Sequence, residues 1–468
     1  MKEKTPKPKG SEIITDILNL ENLLFDRALT IPVYQRPYKW TSKNVNQLID
    51  DILLHNDKTA YRVGTIVLHN DGTNLNIVDG QQRIFTMSLI AGELLKDDFT
   101  KKLISFPASK LCLADAALSN PVSLKNLRRN YLLIKSRIKE FKRDDIAFFF
   151  KKCEFVYIEL QSISEAFQFF DSQNTRGKDL APHDLLKAFH LREMVENTEQ
   201  EKIRCVNDWE AVSDSLNNIF SNYLFRVRRW TKGKHAISFS KNDVDIFKGI
   251  NMALRDSYEY QRTYRINHFY VDNYNRDAVR QIDRQQMRFP FQIDQAIING
   301  QRFFEYVHHY SNCIKEIEMA YSDDKKIRAE SILKYLNPEN TDASLIMKTI
   351  RTYKGNSRRG DLYIRNVFDC CILYYWDKFG TIKIDDALVK FFLWAYALRL
   401  ESQAVQATSA HNLAAGGNGF FRMIRESVHP KEILNYSIKP AAYIGKDDAV
   451  LHIGEIVKIF RNLNSIQS

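Results

Sequence analysis

The sequence is poor in the features that mark fibrous, secreted or membrane-spanning chains. Its most apolar stretches, residues 391–400 and 370–376, fall well short of the roughly 20 residues a bilayer-spanning helix needs, and they read as buried helices. Only 17 glycines and 11 prolines punctuate 468 residues, too few for a collagen-like or low-complexity chain. Six cysteines (Cys112, Cys153, Cys205, Cys313, Cys370, Cys371) include no Cys-x-x-Cys spacing. That argues against a structural zinc site or a disulfide scaffold and makes them core thiols. Residues 1–10 alternate lysine with proline and lack the apolar segment of a secretion signal, so a flexible tail and a cytoplasmic location are expected.

What is present is core material and positive charge. Hydrophobic residues make up 44% and aromatic residues 12%, and the length suggests two or three domains. Lys plus Arg number 68 against 57 Asp plus Glu, a formal charge of +11 that favours polyanionic partners through steering and counterion release.

Periodicity predicts an α+β chain. Apolar residues at Ile14, Ile17, Leu18, Leu20 and Leu24 predict a first helix over 13–24. Two prolines make 31–40 a strand or ordered loop. Ser42 is the expected cap of a helix with Val45, Leu48, Ile49, Ile52 and Leu53 in register, ending near Asn56. The β-branched run 62–69, the Asn70-Asp71-Gly72 turn and the run 75–78 predict a hairpin. Helical spacing resumes at Ile84, so Asp79-Gly80-Gln81-Gln82-Arg83 falls where a strand turns into a helix. Helix over 124–150, strand over 155–160, helix over 164–170 and a helix started by Pro182 follow. Beyond residue 200 the pattern is helical, notably over 203–220, 302–320, 367–379 and 387–400. The expected division is a tail (1–10), a small mixed-sheet domain (11–200), a helical extension (201–322) and a C-terminal helical domain (323–468), with linker candidates near 322–326 and 354–360.

Three segments suit a phosphate-bearing ligand. At the Asp79 turn, Gly80 can adopt angles closed to other residues, and the amides of Gln81, Gln82 and Arg83 make an anion cradle. Arg83 is the nearest cation, Asp79 could hold Mg²⁺ or orient a water, and Gln81 or Gln82 could position that water. The plain alternative is a strand-to-helix turn capped by Asp79. Gln35, Arg36, Tyr38, Lys39 and Trp40 cluster cations with aromatic rings, for phosphate and base contacts or as an aromatic plug with snorkelling cations. Asn174 and Arg176, in Asn174-Thr175-Arg176-Gly177, could reach a ribose or base and a phosphate, or close a helix with a solvated arginine.

Together these segments resemble the N-terminal domain of the GmrSD-type modification-dependent restriction family, whose ParB/sulfiredoxin-like fold carries an Asp-Gly-Gln-Gln-Arg signature. Residues 31–40 resemble its opening motif, 78–83 its signature, 170–187 its third block, and Ile298-Asn299-Gly300 with Phe303-Phe304 a late segment. The resemblance implies a ParB/sulfiredoxin-like domain followed by a large helical region. It also implies nucleoside triphosphate binding and hydrolysis by Asp79, Gln82 and Arg83, with help from Arg36; beside it, the residue reading adds Gln35, Tyr38, Trp40, Gly80, Gln81, Asn174 and Arg176 as expected nucleotide contacts, with Mg²⁺ on Asp79. The implied role is control of DNA cutting in phage defence, the DNA being possibly modified. Many relatives append an HNH-like nuclease, but His411-Asn412 and His429-Pro430 stand isolated here. Cutting is therefore assigned to a separate nuclease chain. A non-hydrolysing, nucleotide-switched DNA- or protein-binding module is the alternative.

Two basic runs are further candidates for nucleic acid: Arg226, Arg228, Arg229 and Lys232 around Trp230, and Arg358 and Arg359 with Arg351, Lys354 and Arg365. Taken singly, each reads more readily as a solvated face than as a nucleic-acid contact. The Gly416-Gly417-Asn418-Gly419 turn lacks the Gly-Lys-Ser/Thr ending of a P-loop.

Overall fold

The computed structural model describes residues 13–32, 35, 37–113, 121–161, 181–194, 197–252, 258–442, 452–463 and 465–467. The chain divides into two units, Met1–Leu180 and Ala181–Ser468. The expected helix over 164–170 lies outside the described residues.

The first unit opens with β1 (Ile14–Asn19) and α1 (Leu20–Phe25), which corrects the single helix expected there. Ile14 and Ile17 are 42% and 49% exposed. Their spacing imitated a buried helical face, but they belong to an edge strand paired antiparallel with residues 154–159. The helix starts only where Asn19 caps it by accepting the Asn22 amide at 2.9 Å. There follow β2 (Leu29–Thr30), α2 (Ser42–Leu54), β3 (Tyr61–Asn70), β4 (Leu75–Asp79), α3 (Gln81–Leu94), α4 (Asp98–Leu103), α5 (Pro121–Arg137), α6 (Arg143–Lys151) and β5 (Cys153–Leu160).

The strands form one mixed sheet in the order β1-β5-β3-β4-β2. β3 and β4 make the expected antiparallel hairpin, and β3 runs parallel to β5. Strand alternation sorts the core: Ile66 and Leu68 face the helices, packing with Ile49, Ile52, Ile84 and Phe149, whereas Val67 joins Val78, Ile158 and Leu160 in a smaller cluster.

The second unit is mainly helical. Its principal helices are α7 (Pro182–Arg192), α8 (Glu199–Ala211), α9 (Phe225–Trp230), α10 (Glu259–Arg276), α11 (Ala278–Ile282), α12 (Gln301–Met319), α13 (Thr341–Thr352), α14 (Arg359–Phe379) and α15 (Ile384–Glu401). Before α9 the chain takes a π-helical turn, Ile219–Leu224. The apolar stretches of α14 and α15 are buried as expected, with Phe368, Cys370, Cys371, Tyr375, Phe392 and Tyr396 inaccessible. The fold class is thus α+β, a small mixed sheet followed by a helical region. Among the described residues no helix is long and apolar enough to cross a membrane.

Candidate functional site

β4 ends at Asp79, and Gly80 turns the chain into α3 with φ +94°, a left-handed conformation that favours glycine. A Cβ there would lie 2.7 Å from Ile66 Cγ2, so the turn is packed directly against β3. Gly80, not Asp79, takes the N-cap position, and no side chain caps α3. The first amides of that helix form a pole that favours anions.

Arg83 lies across the neighbouring strand. Its Nη1 donates to Val63 O at 3.3 Å and its Nη2 to Thr65 O at 2.8 Å. Between these carbonyls stands Gly64, with φ +146°, where a Cβ would fall 1.7 Å from Arg83 Nη1. The ladder between β3 and β5 shifts register at this point, so the guanidinium occupies the space a side chain would fill in a regular strand. Asp79 Oδ2 lies 3.8 Å from Arg83 Nη2, and both side chains are about one quarter exposed.

Gln82 fastens the aromatic segment. Its Oε1 accepts the amides of Lys39 (2.8 Å) and Trp40 (3.1 Å), and its Nε2 donates to Pro37 O at 3.2 Å. Gln35 Nε2 donates to the carbonyls of Ile77 and Val78, each at 2.7 Å. Tyr38 is wholly buried. Thr86 donates its hydroxyl to Gln82 O, so the Tyr38 hydroxyl donates to Thr86 Oγ1 at 2.8 Å, and Asn130 Nδ2 donates to the phenol oxygen. Burial pushes the phenol pKa up. The expectation that Tyr38 contacts a ligand base is corrected: its ring has no accessible face, and it is the plug of the plainer reading. Trp40 is half-buried against the same core.

Gln81 differs from its neighbours in the motif. Its side chain is 5% exposed, and its Oε1 is buried without a hydrogen-bond partner. An orphaned buried acceptor costs about 1–3 kcal/mol, and it sits on the first residue of the uncapped helix. The structure therefore brings together Gln35, Tyr38, Trp40, Asp79, Gly80, Gln81, Gln82 and Arg83. Arg36, Asn174 and Arg176 lie outside the described residues.

Sequence reasoning missed the supports of this turn. Ser123 Oγ accepts the Tyr38 amide, Asn126 donates to Tyr38 O, and Asn130 donates to Trp40 O, so α5 carries the other half of the clamp. Nothing local marks these three residues. Gly64 did leave a signal, as a glycine inside a β-branched run.

The first basic run is largely structural. Arg228 is 5% exposed and donates to the carbonyls of Ile293, Gln295 and Ile246. The expectation that it meets nucleic acid is corrected, because its guanidinium ties backbone segments together inside the core. Trp230 is buried too, its Nε1 donating to His411 Nδ1 at 3.2 Å. Arg226 is bonded to Asn366 and lies over the Trp230 ring. Arg229 Nε donates to His235 O. Arg358 pairs with Asp361 at 2.9 Å. Only Lys232 and Arg359, of the six proposed contacts, are exposed. Burial holds His411 down at about 4, and His429 caps its own short helix by accepting the Lys431 amide.

Residues 14–191 match the GmrSD restriction endonuclease N-terminal domain, the family that the three early motifs resemble, and this links the chain to DNA restriction; the late segment at 298–304 lies outside that match. Residues 201–449, more than half of the chain, match a family of unknown function, DUF7834, and the chain belongs to that family. No curated protein matches the chain.

Proposed function

We propose that this DUF7834-family chain with a GmrSD-type N-terminal domain binds a nucleoside triphosphate with Mg²⁺ at the start of α3 and hydrolyses it. In this reading it is the nucleotide-dependent sensor or regulatory chain of a modification-dependent DNA restriction system. The observation that carries the reading is the orphaned Gln81 Oε1 beside an uncapped helix start. A carbonyl oxygen needs a donor, which a ribose hydroxyl, a base amine or an attacking water supplies and a phosphate oxygen does not. The free amides of α3 suit the phosphates. Among the described residues no group of three or more His, Cys, Asp or Glu is placed to hold a metal, so Mg²⁺ would rest on Asp79 and the phosphate oxygens themselves. Cutting is assigned to a partner nuclease, since His411 and His429 are engaged in holding their own surroundings.

The test is Gln81→Leu. A buried orphan acceptor replaced by an apolar group of similar size leaves stability unchanged or slightly raised. If Gln81 faces the nucleotide, triphosphate binding or phosphate release falls at least tenfold in the same protein. Wild-type turnover with each of the four triphosphates in a normally folded Gln81→Leu variant would refute the reading.

One observation favours a second reading. Gln82 and Arg83 are both engaged with backbone, so neither side chain is free to orient a nucleophile without rearrangement. Binding without phosphate release, sensitive to Gln81→Leu, would establish a ligand switch in place of a hydrolase.

A further inference from the structure

The helical unit contains a cleft of about 1020 Å³, at the top of the range of about 300–1,000 Å³ typical of ligand sites. Phe291, Tyr335 and Trp376 offer accessible aromatic surface in its wall, while the lining residues Phe289, Phe304 and Tyr310 are buried. The wall is held in place from behind. Arg302, 5% exposed, lies over the Phe289 ring and is bonded to His268, Asp272 and Glu305. Asn275 clasps the loop after α11 through both the amide and the carbonyl of Met287.

The engagement of the charged groups in the wall is informative. Asp272 and Glu305 are answered by Arg302, Glu316 by Lys334 at 2.9 Å, and Glu201 by the Thr198 amide. Asp377 accepts from the Ile293 amide and the Tyr310 hydroxyl. Among the described residues this leaves Asp208 as the lining carboxylate without a hydrogen bond or ion pair, and Arg204, Arg276 and Arg288 as exposed guanidiniums without one, in a lining of six carboxylates and four guanidiniums. The side-chain amides of Gln286 and Asn312 also line the cleft. Between Lys248 and Lys315 the sequence has eight arginines and no lysine. Guanidinium stacks on planar rings and grips phosphate in a fork, which an ammonium cannot do.

We propose that this cleft accepts a nucleotide unit of a single-stranded DNA segment: an unpaired base against the aromatic wall, its edge met by Gln286 and Asn312, its flanking phosphates by Arg204, Arg276 and Arg288. Base stacking on such walls tolerates any sequence, and guanidiniums along the mouth follow the backbone. The site lies in the helical unit and stands independently of the nucleotide site proposed at α3.

The test is fluorescence anisotropy of the full chain with a labelled 12-nucleotide single strand, its duplex form and an abasic strand of equal length. The expected result is at least tenfold tighter binding of the single strand than of either comparison. The logarithmic salt slope should be near −2, about −0.7 for each of three phosphates. Arg276→Ala with Arg288→Ala should weaken binding at least tenfold and flatten that slope by about 1.4. Both side chains are exposed and unengaged, so an unchanged thermal melt is expected. Equal affinity for the abasic strand, or for the duplex, would overturn the base site, as would wild-type binding by the double variant. Unlabelled thymidine monophosphate displacing the strand at a comparable concentration would assign the cleft to a free nucleotide and overturn the strand. Triphosphate binding by the double variant is measured alongside, and its retention separates this result from the outcome of Gln81→Leu.

Discussion

Arg83 in the sheet unit and Arg288 in the helical unit carry the same side chain under opposite conditions. Arg83 belongs to a signature that stands out in the sequence, yet its guanidinium is tied to Val63 and Thr65 across a glycine. Arg288 belongs to no motif, yet it lines a cleft with no partner of its own. The contrast teaches that a memorable string can be a device for holding a turn, with the unengaged chemistry located elsewhere. In the sheet unit the exception is Gln81, the one motif residue with a buried polar atom left unanswered.

Four perturbations would break or sharpen that comparison. The largest effect is expected at Arg228, the buried arginine that sequence reading had placed among the DNA contacts. Arg228→Ala should cost about 3 kcal/mol or more in chemical denaturation, because three carbonyls lose their donor in the core and each unsatisfied buried acceptor costs about 1–3 kcal/mol. A near-neutral result would return it to the surface role. Next is Gly64→Val, expected to destabilise by about 2–4 kcal/mol through left-handed strain and collision with Arg83. Adding Arg83→Ala should recover part of that loss, whereas simple additivity in the double-mutant cycle would refute direct contact.

Gln82→Ala should cost about 2 kcal/mol, since three hydrogen bonds to residues 37–40 go with it. Set beside a neutral Gln81→Leu, it would show adjacent glutamines divided between architecture and ligand.

The last perturbation concerns pH. Burial pushes Asp377 up to about 7, above its unfolded value near 3.9. The folded chain therefore binds that proton more tightly than the unfolded one, and the stabilisation is full below about pH 4 and lost as pH rises towards 7. Asp377→Asn should flatten the fall in melting temperature over that window. An unchanged pH profile would count against the burial effect.

Much of the sheet unit was legible from local rules. The hairpin, the helix from Ser42 and the helix that opens at the signature follow from alternation, turn residues and 3.6-residue spacing. Strand β1 escaped because an edge strand with few buried residues carries no alternation, and Ile14 and Ile17 fall by coincidence at helical spacing. The site was legible as a location more than as a mechanism. Local sequence shows that Gly80 begins a helix, but the partners of Tyr38 and Gln82 come from segments far along the chain, and Asn126 and Asn130 have no local mark. The burial of Arg228 and Trp230 was hidden likewise: a basic run reads as surface until Ile293 and Gln295 are seen to wrap it.

The glycine opposite Arg83 sets a condition on any attempt to transplant this turn. Grafting Asp-Gly-Gln-Gln-Arg into another sheet would import a guanidinium needing a bare patch of backbone on the adjacent strand. A recipient with a side chain there would expel the arginine or unravel the strand. The transferable unit accordingly spans two strands, and positions 64 and 83 should be free to vary only in concert.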